Sequence, residues 1–307
     1  MKTLSVVVPV YFNEQSLPVL FEKMLEVEQQ LRELGLGLEL IFVDDGSGDD
    51  SWKVLLSLRE RRPATRLIKL SRNFGAVHAS KAGYGYVTGD CFVTVAADLQ
   101  DPPQVIVEMA KHWLAGSKFV ISERARREDP LVSRTFSSIY YKLVNALVMP
   151  DYPARGFDMA LMDKAMQAPM VNSAKNVFTP LLAFWLGFTP TIIKYDRPKS
   201  GHGRSRWTFA RKFKTFVDVM LGFSVTPIRM MSALGVVVAV VSFSYGSIVF
   251  LWALVRGMEV PGFAALVSLI TFLQGVIILM LGLIGEYLWR IFDETNKRPE
   301  VVVETEL

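Results

Sequence analysis

The stretch "LELIFVDDGSGDD", residues 38–50, decides the fold, because a mostly apolar run ends there in acids and a glycine-containing turn. A strand with one solvated face alternates apolar and polar residues, whereas a strand buried on both faces is apolar almost throughout. Asp44 and Asp45 stand where such a buried strand should end. The segment therefore predicts a central strand of a parallel sheet, with polar groups at its carboxyl end.

The same pattern recurs along the first part of the chain. Apolar runs predict strands at Leu4–Val10, Leu38–Asp45, Thr65–Ser71, Cys91–Asp98 and Lys118–Glu123. Amphipathic stretches between them predict helices at Ser16–Leu34, Asp49–Arg61, Ala76–Val87 and Pro103–Ala115. This alternation indicates an α/β domain with a mostly parallel sheet, whose ligands bind beyond the carboxyl ends of the strands. After about Ala125 the pattern becomes more helical.

Polar clusters follow the predicted strands at those carboxyl ends. They are "YFNE" at 11–14, "DDGSGDD" at 44–50, "SRNFG" at 71–75 and "DLQDPP" at 98–103. One such cluster could be ordinary turn chemistry, since Asp, Asn, Gly and Pro favour turns. Four clusters that converge on one rim of the sheet favour a shared binding site.

The residue types in these clusters indicate which ligands the rim suits. Carboxylates dominate, and the single cysteine, Cys91, lies in an apolar run, so we expect Mg²⁺ or Mn²⁺ with oxygen ligands. Neither a GxxxxGK[ST] loop nor a GxGxxG motif occurs, which leaves P-loop and dinucleotide binding without support. A nucleotide diphosphate held through the cation fits better, because the cation would neutralise the diphosphate as it leaves.

Two long apolar stretches lie near the C-terminal end. Neither 230–255 nor 260–285 contains a charged residue, and each is long enough to cross a bilayer, which takes roughly 20 apolar residues. Basic residues precede the first stretch and follow the second, while the turn between them holds one Arg and one Glu. The positive-inside rule then predicts a hairpin of two spans with both ends in the cytoplasm.

We therefore expect a cytoplasmic α/β domain, an interfacial amphipathic helix, two transmembrane helices and a cytoplasmic tail. Their predicted bounds are 1–205, 206–226, 227–289 and 290–307, and the alternative for the amphipathic segment is a helix packed against the core. The first residues do not resemble a signal peptide, in agreement with a cytoplasmic first domain. The net charge is only +4, with bases gathered near the apolar stretches, which suits an anionic lipid surface better than nucleic acid. Glycines at 235, 246 and 282 could let hairpins pack into homo-oligomers.

The ordered motifs "VVVPVYFNE", "VDDGSGDDS", "SRNFG" and "ADLQDPP" resemble glycosyltransferase family 2, whose members have the GT-A fold. With "GRSRW" at 203–207 and the predicted hairpin, the chain is most similar to the polyprenyl-phosphate glycosyltransferases. That group includes the bactoprenol glucosyl transferases and the dolichol-phosphate mannose synthases. Any single motif is a weak signal, but the resemblance extends over essentially the whole chain.

The resemblance implies a role for residues of the first three clusters. Residues that would line the nucleotide-sugar pocket are Pro9, Tyr11, Glu14, Asp44, Asp45 and Arg72, with Asn73 at its border. The two acids would hold the uracil or ribose end of the donor. An alternative for "DDGS" is a β-turn followed by a helix N-cap, and the segment could serve both purposes.

In the fourth cluster the family often has two acids, Asp-x-Asp, before Leu-Gln. This chain has Ala96 in place of the first acid, so the resemblance leaves Asp98 and Gln100 as metal ligands, with Asp98 also catalytic. One carboxylate, an amide oxygen, the diphosphate and waters can still complete a Mg²⁺ site. Asp101, just before two prolines, is interpreted as a helix N-cap.

On the acceptor side the resemblance implies that cations hold a lipid phosphate. The candidates are Arg124, Arg134, Ser205 and Arg206, with a solvated basic face as the alternative for the arginines. Asp158 would be the catalytic acid that orients or deprotonates the acceptor, with turn capping as the alternative. A phosphate monoester is largely ionised near pH 7, so a strong base is not required.

The implied activity is inverting transfer of a hexose, glucose from UDP-glucose in the first instance, to undecaprenyl phosphate at the cytoplasmic face of the bacterial inner membrane. A second reading keeps the fold but uses GDP-mannose or a modified UDP-sugar. A polysaccharide synthase usually has a QxxRW element, which the sequence lacks. A non-catalytic membrane scaffold or flippase has only Ala96 in its favour.

Overall fold

The computed structural model describes residues 1–124, 142–150, 152–153, 156–175, 177–195, 217, 219–256 and 262–307. The chain divides into two compact units. The first comprises Met1–Val219 together with Arg298–Leu307, and the second comprises Met220–Lys297. The last ten residues thus belong to the same unit as the first two hundred, although the second unit separates them in sequence.

The first unit is built on a sheet of eight strands. They are β1 (Lys2–Val10), β2 (Leu36–Asp44), β3 (Arg66–Leu70), β4 (Cys91–Thr94), β5 (Phe119–Arg124), β6 (Met159–Asp163), β7 (Thr191–Tyr195) and β8 (Val303–Glu306). Its helices are α1 (Leu17–Glu33), α2 (Ser51–Arg61), α3 (Ala76–Gly85), α4 (Val105–Leu114), α5 (Gln167–Val171) and α6 (Thr179–Trp185), with a 3₁₀ turn at Lys164–Met166. The strand order is β7-β5-β6-β4-β1-β2-β3-β8.

Most neighbouring strands are parallel, and this confirms the predicted α/β fold class. β6 runs antiparallel to both β4 and β5, and β8 runs antiparallel to β3. An antiparallel strand begins at the edge where its parallel neighbours end. Residues that precede β6 and β8 therefore lie at the same rim as the carboxyl ends of β1 to β5 and β7.

The centre of the sheet is buried on both faces, as the unbroken apolar runs predict. Val6, Val7 and Val8 of β1 have no exposed surface, although consecutive side chains point to opposite faces. Helix α3 approaches the sheet closely, because a Cβ on Gly83 would lie 2.4 Å from a methyl group of Val7. This close packing holds the N-terminus of α3 beside the ends of β1 and β2.

Three strands escaped the sequence prediction. β6 and β7 lie in the region expected to be more helical, and β8 lies in the segment expected to be a tail. Strand β4 ends at Thr94, four residues before the predicted Asp98, so the acids of "DLQD" belong to the loop that follows. β8 is an edge strand with alternating burial and only four residues, which leaves a weak local pattern.

The second unit contains the two apolar helices that the sequence predicts, α7 (Thr226–Arg256) and α8 (Phe263–Thr295). Stretches of each, Thr226–Val249 and Phe272–Thr295, are long and apolar enough to cross a membrane, and their side chains are not buried. Gly235 faces the other helix of the same pair, since a Cβ there would lie 3.3 Å from the Met280 methyl group. Most of the predicted amphipathic helix at 206–226 lies outside the described residues.

Candidate functional site

The rim of the sheet collects polar side chains from the ends of β2, β5 and β7 and from the start of β6. Asp44 ends β2, Arg124 ends β5 and Tyr195 ends β7, while Asp158 immediately precedes the antiparallel β6. Arg124 and Tyr195 are direct partners in the register of β5 and β7. The strand directions alone therefore bring residues that are far apart in sequence to one edge.

Asp44 and Asp45 are both buried, but only Asp45 is held by hydrogen bonds. Its two oxygens accept the backbone N–H groups of Phe74 and Gly75 at 2.7 and 2.8 Å. Neither oxygen of Asp44, which is fully buried, accepts a hydrogen bond of regular geometry among the described residues, although the hydroxyl and N–H of Ser47 lie close enough to lower its pKa in part. Burial raises the pKa of both carboxyls. Asp45 thus fixes the "SRNFG" loop, and the nucleotide-binding role of Asp44 stays a prediction.

The first loop is tied to the second by short hydrogen bonds. The Glu14 carboxylate accepts the N–H of Asp50 at 3.0 Å, and Phe12 N–H donates to the Ser47 hydroxyl at 3.2 Å. Phe12 is in the left-handed region, with φ of 56°. Tyr11 is 39% exposed, so its ring is available on the rim, while Pro9 lines the cavity described below. These contacts give Glu14 a loop-holding role that its sequence position does not reveal.

Arg72 is exposed on the third loop, close to Asp45. Its guanidinium lies 4.1 Å from the centre of the Phe74 ring and donates to the Asn73 carbonyl at 3.1 Å. The loop crosses the end of β2 so closely that a Cβ on Gly46 would lie 2.5 Å from the Arg72 carbonyl carbon. Gly46 also has a φ of 65°, so this contact requires glycine twice over.

The "DLQD" loop presents an exposed carboxylate on a strained backbone. The Oδ1 atom of Asp98 accepts the N–H of Gln100 at 3.1 Å, and Leu99 between them has a φ of 60°. A non-glycine residue in this region is uncommon and often marks a functional site. Among the described residues no three His, Cys, Asp or Glu side chains cluster as a metal site. One exposed carboxylate still fits Mg²⁺ or Mn²⁺, which take few protein ligands together with substrate phosphates.

Arg124, Asp158, Tyr195 and Asp101 form a connected group behind this loop. The Arg124 guanidinium forks onto Asp158, with Nε at 2.8 and 3.0 Å from its two oxygens and Nη2 at 2.5 Å from Oδ1. The Tyr195 hydroxyl lies 2.7 Å from Oδ1 of Asp101 and 2.9 Å from Oδ2 of Asp158. Burial raises the pKa of the Asp101 carboxyl, and the hydrogen bond from Tyr195 only partly offsets this.

The structure contradicts the prediction for Asp101 and leaves the prediction for Arg124 untested. The N-cap interpretation of Asp101 is wrong, because α4 begins at Val105 with Gln104 at the cap position. Asp101 is instead buried and accepts a hydrogen bond from the Tyr195 hydroxyl. The two prolines that follow it had suggested a helix start in its place. The role of Arg124 as a phosphate clamp stays a prediction. A guanidinium has five N–H groups, so one that forks onto Asp158 can still donate to a phosphate.

A cavity of about 270 Å³ opens between the rim and helices α3, α5 and α6. Among its lining residues are Pro9, Thr94, Ala96, Asp101 and Asp158. Ala96 therefore faces the same space as Asp101 and Asp158, and the metal-binding role of the nearby Asp98 stays a prediction. A larger, more open cavity of about 530 Å³ lies near the start of β5 and β7, away from this rim, and none of the described residues that line it is acidic.

Three predicted site residues lie outside the described part of the chain, and two residues near the rim were not predicted from the sequence. Arg134, Ser205 and Arg206, predicted to bind the acceptor phosphate, lie outside the described residues. Sequence reasoning missed Tyr195, because the strand that it ends has only five residues and gives a weak local pattern. It also missed Glu300, which precedes β8 and accepts Lys81 Nζ at 2.6 Å and pairs with His78 Nδ1 at 2.8 Å on α3.

Known proteins share both the sequence and the fold of this chain. The sequence model described as "Glycosyl transferase family 2" matches residues 5–167. A protein of Synechocystis sp., described as an uncharacterized glycosyltransferase, is 33% identical over 98% of this chain and 94% of its own length. The bactoprenol glucosyl transferase of Shigella phage SfV is 30% identical over 99% and 98% of the two chains.

The comparison with solved structures shows similarity in the fold, at low sequence identity. Glucosyl-3-phosphoglycerate synthase from Mycobacterium tuberculosis, in complex with Mn²⁺, UDP and glucosyl-3-phosphoglycerate, superposes with a TM-score of 0.50. The match covers 72% of this chain and 78% of the synthase at 15% identity. It supports the GT-A architecture of the first unit.

Proposed function

Since this chain belongs to glycosyl transferase family 2, we propose that it transfers a hexose from a nucleotide sugar to a polyprenyl phosphate, with UDP-glucose and undecaprenyl phosphate as the first substrates to test. The relatives named bactoprenol glucosyl transferase align over nearly the whole chain, including the apolar helices, and so favour a lipid acceptor. The chain is an enzyme of the glycosyltransferase class. The sugar and its nucleotide are the proposed part.

One observation carries the donor half of the proposal. The buried Asp44 carboxylate accepts no hydrogen bond of regular geometry in the described part of the chain. The hydroxyl and N–H of the nearby Ser47 offset only part of the cost of burying its charge, since burial still raises its pKa. A ligand that brings an N–H donor to this oxygen would offset that cost, as the imide N–H of uracil can. Arg72, exposed nearby, offers its guanidinium to the diphosphate.

Asp98 and Gln100 would hold a divalent cation against the diphosphate. When bound, Mg²⁺ or Mn²⁺ would neutralise the charge that develops on the leaving nucleotide. The complex of the mycobacterial synthase with Mn²⁺ and UDP is consistent with this assignment but concerns that protein. Because Ala96 supplies no carboxylate, Asp98 is the acid on which the proposed site depends.

The acceptor phosphate would attack the anomeric carbon from the side of Asp158 and Arg124. The phosphate is already ionised near pH 7, so the site needs to orient it more than to deprotonate it. Asp158 suits that role, because Arg124 and Tyr195 hold its carboxylate from two sides. The remaining N–H groups of Arg124 can donate to a phosphate oxygen. Attack in one step inverts the anomeric configuration.

We place the enzyme in the cytoplasmic membrane of a bacterium, with the α/β unit in the cytoplasm. The chain leaves that unit at Val219 and rejoins it at Arg298, where the tail supplies β8. A segment whose two ends join one folded unit crosses a membrane an even number of times, and this supports a hairpin of α7 and α8. A fluorescent protein fused after Leu307 should therefore report a cytoplasmic end, whereas a periplasmic end would contradict the hairpin.

A donor screen tests the function directly. Purified enzyme with undecaprenyl phosphate and Mg²⁺ would be offered UDP-glucose, other UDP-sugars and GDP-mannose, and the lipid product would be weighed by mass spectrometry. We expect a hexose adduct with UDP-glucose. An adduct only with GDP-mannose or a modified UDP-sugar would replace the donor, while no turnover of any sugar would favour a scaffold or flippase.

A further inference from the structure

Tyr195 lies behind the proposed site rather than within it. It ends β7, the edge strand of the sheet, and it does not line the cavity at the rim. Its hydroxyl nevertheless lies within 3 Å of two acids that do line that cavity, at 2.7 Å from Asp101 and 2.9 Å from Asp158. No motif in the sequence points to this residue.

The two acids come from different parts of the chain. Asp101 closes the loop that carries Asp98 and Gln100, on the donor side, while Asp158 precedes β6 on the acceptor side. Because β7 pairs with β5 in a register that aligns Tyr195 with Arg124, the hydroxyl reaches both acids from the same edge. The hydroxyl has one proton, so it donates to Asp101 or to Asp158 at a time and is a donor that the two halves of the site share.

The link also constrains the orientation of Asp158. Arg124 holds one side of its carboxylate through Nε and Nη2, and the Tyr195 hydroxyl approaches Oδ2 from another direction. Burial and the adjacent Asp101 raise the pKa of the Tyr195 hydroxyl, so it remains a donor at every physiological pH. When the hydroxyl donates to Asp158, donors from two separate strands hold that carboxylate and leave it little freedom to rotate.

We propose that Tyr195 is a positioning residue that sets the orientation of Asp158 and ties it to the Asp98–Asp101 loop. The proposal rests on the proposed function, since it assigns Tyr195 a part in the transfer step. It acts through Asp158 and Asp101 and touches neither substrate. Its loss should therefore slow the transfer without weakening the binding of the nucleotide sugar.

The test substitutes Tyr195→Phe, which removes the hydroxyl and keeps the ring. Tyr86→Phe is the matched control, because its hydroxyl faces Glu306 of β8 at the other end of the sheet. We expect Tyr195→Phe to lower kcat on the order of tenfold to a hundredfold, with the donor KM and the Tm close to wild type. Tyr86→Phe should leave all three unchanged.

A double-mutant cycle with Asp158→Asn separates positioning from general support of the fold. If Tyr195 acts through Asp158, single-turnover rates of the double variant should equal those of Asp158→Asn alone. A wild-type rate for Tyr195→Phe, a fall in kcat that parallels a fall in Tm, or additive effects in the cycle would overturn the proposal. If Asp158→Asn does not fold, Asp101→Asn takes its place, because it meets the same hydroxyl.

Failure of the proposed function would look different. The wild type would then form no lipid-linked sugar. UDP release with water as acceptor, measured in the same samples, would still compare Tyr195→Phe with the wild type.

Discussion

Asp44 and Asp45 are neighbours at the end of β2, yet the fold treats their carboxylates in opposite ways. Asp45 accepts two backbone N–H groups from the third loop, while the fully buried Asp44 accepts no hydrogen bond of regular geometry among the described residues and is only partly stabilised by Ser47. The first is spent on holding the rim together. The second is the proposed ligand acceptor, and the burial of its charge lowers the stability of the free protein.

Neutralising each acid should therefore have opposite effects. We expect Asp44→Asn to raise the free energy of unfolding at pH 7 and to weaken UDP binding by about tenfold, since the hydrogen bond from the ligand would no longer go to a charged acceptor. Asp45→Asn is the matched control and should lower stability, because an amide has one acceptor oxygen for two N–H groups. Urea unfolding and calorimetric titration with UDP measure both effects.

The effect of Asp44→Asn on stability should also depend on pH. Burial raises the pKa of Asp44, so the folded protein loses stability as pH rises through that pKa and the carboxyl must ionise. The stability advantage of Asp44→Asn should therefore be largest at neutral pH and shrink as pH falls toward the ordinary range of an Asp. An advantage that grows at acid pH would contradict this account.

Asp98 should be the acid that turnover can least spare. Asp98→Asn should lower the rate of transfer by roughly a hundredfold or more, because charge stabilisation at the leaving diphosphate is lost. Asp90→Asn is the control, since Asp90 lies at the other end of β4 and accepts Thr3 N–H, a bond that the Asn oxygen can keep. Radiolabelled lipid product measures the rates, and near-normal transfer by Asp98→Asn would remove it from the site.

Restoring the second acid should strengthen metal binding. Ala96 is exposed at the cavity, so Ala96→Asp would add a carboxylate without disturbing the core. We expect Mn²⁺ to bind in the presence of UDP on the order of tenfold more tightly, since affinity for such cations rises with the number of charged ligands. Paramagnetic resonance of free Mn²⁺ measures this, and unchanged binding would place the cation elsewhere.

The tail should be held to the α/β unit mainly by Glu300. Although burial raises the pKa of this carboxyl, hydrogen bonds from His78 and Lys81 outweigh it and keep the pKa below its usual value. Glu300→Gln should therefore expose residues 298–307 to proteolysis. In the wild type the attachment should weaken as pH falls through that lowered pKa.

Glu304→Gln is the matched control on the same strand. Its carboxylate is about half exposed and pairs with Lys69 at 3.0 Å, a kind of ion pair that contributes little to stability. Limited proteolysis with mass spectrometry compares the two variants. Equal protection of the tail in both would show that the strand pairing alone holds β8 in place.

The fate of particular residues shows where sequence reasoning reached its limit. The parallel core from β1 to β5, the four polar clusters and the two apolar helices follow from periodicity and composition, which are local properties of the chain. The strands β6, β7 and β8 are short and lie far in sequence from their partners, so their local patterns are weak. Asp101 was assigned to the wrong task for the same reason, since its partner Tyr195 lies on a distant strand.

The sequence by itself thus determined the α/β class, the rim at which the acids gather and the presence of two helices long enough to span a membrane. Only the tertiary structure decided which of two adjacent acids is held and which is left open, that Tyr195 joins Asp101 to Asp158, and that the tail returns to the sheet as β8. The physical reason is that hydrophobic periodicity is a pattern among residues close in sequence, so the sequence displays it directly. Hydrogen-bond partners far apart in sequence are instead set by the order and register of the strands.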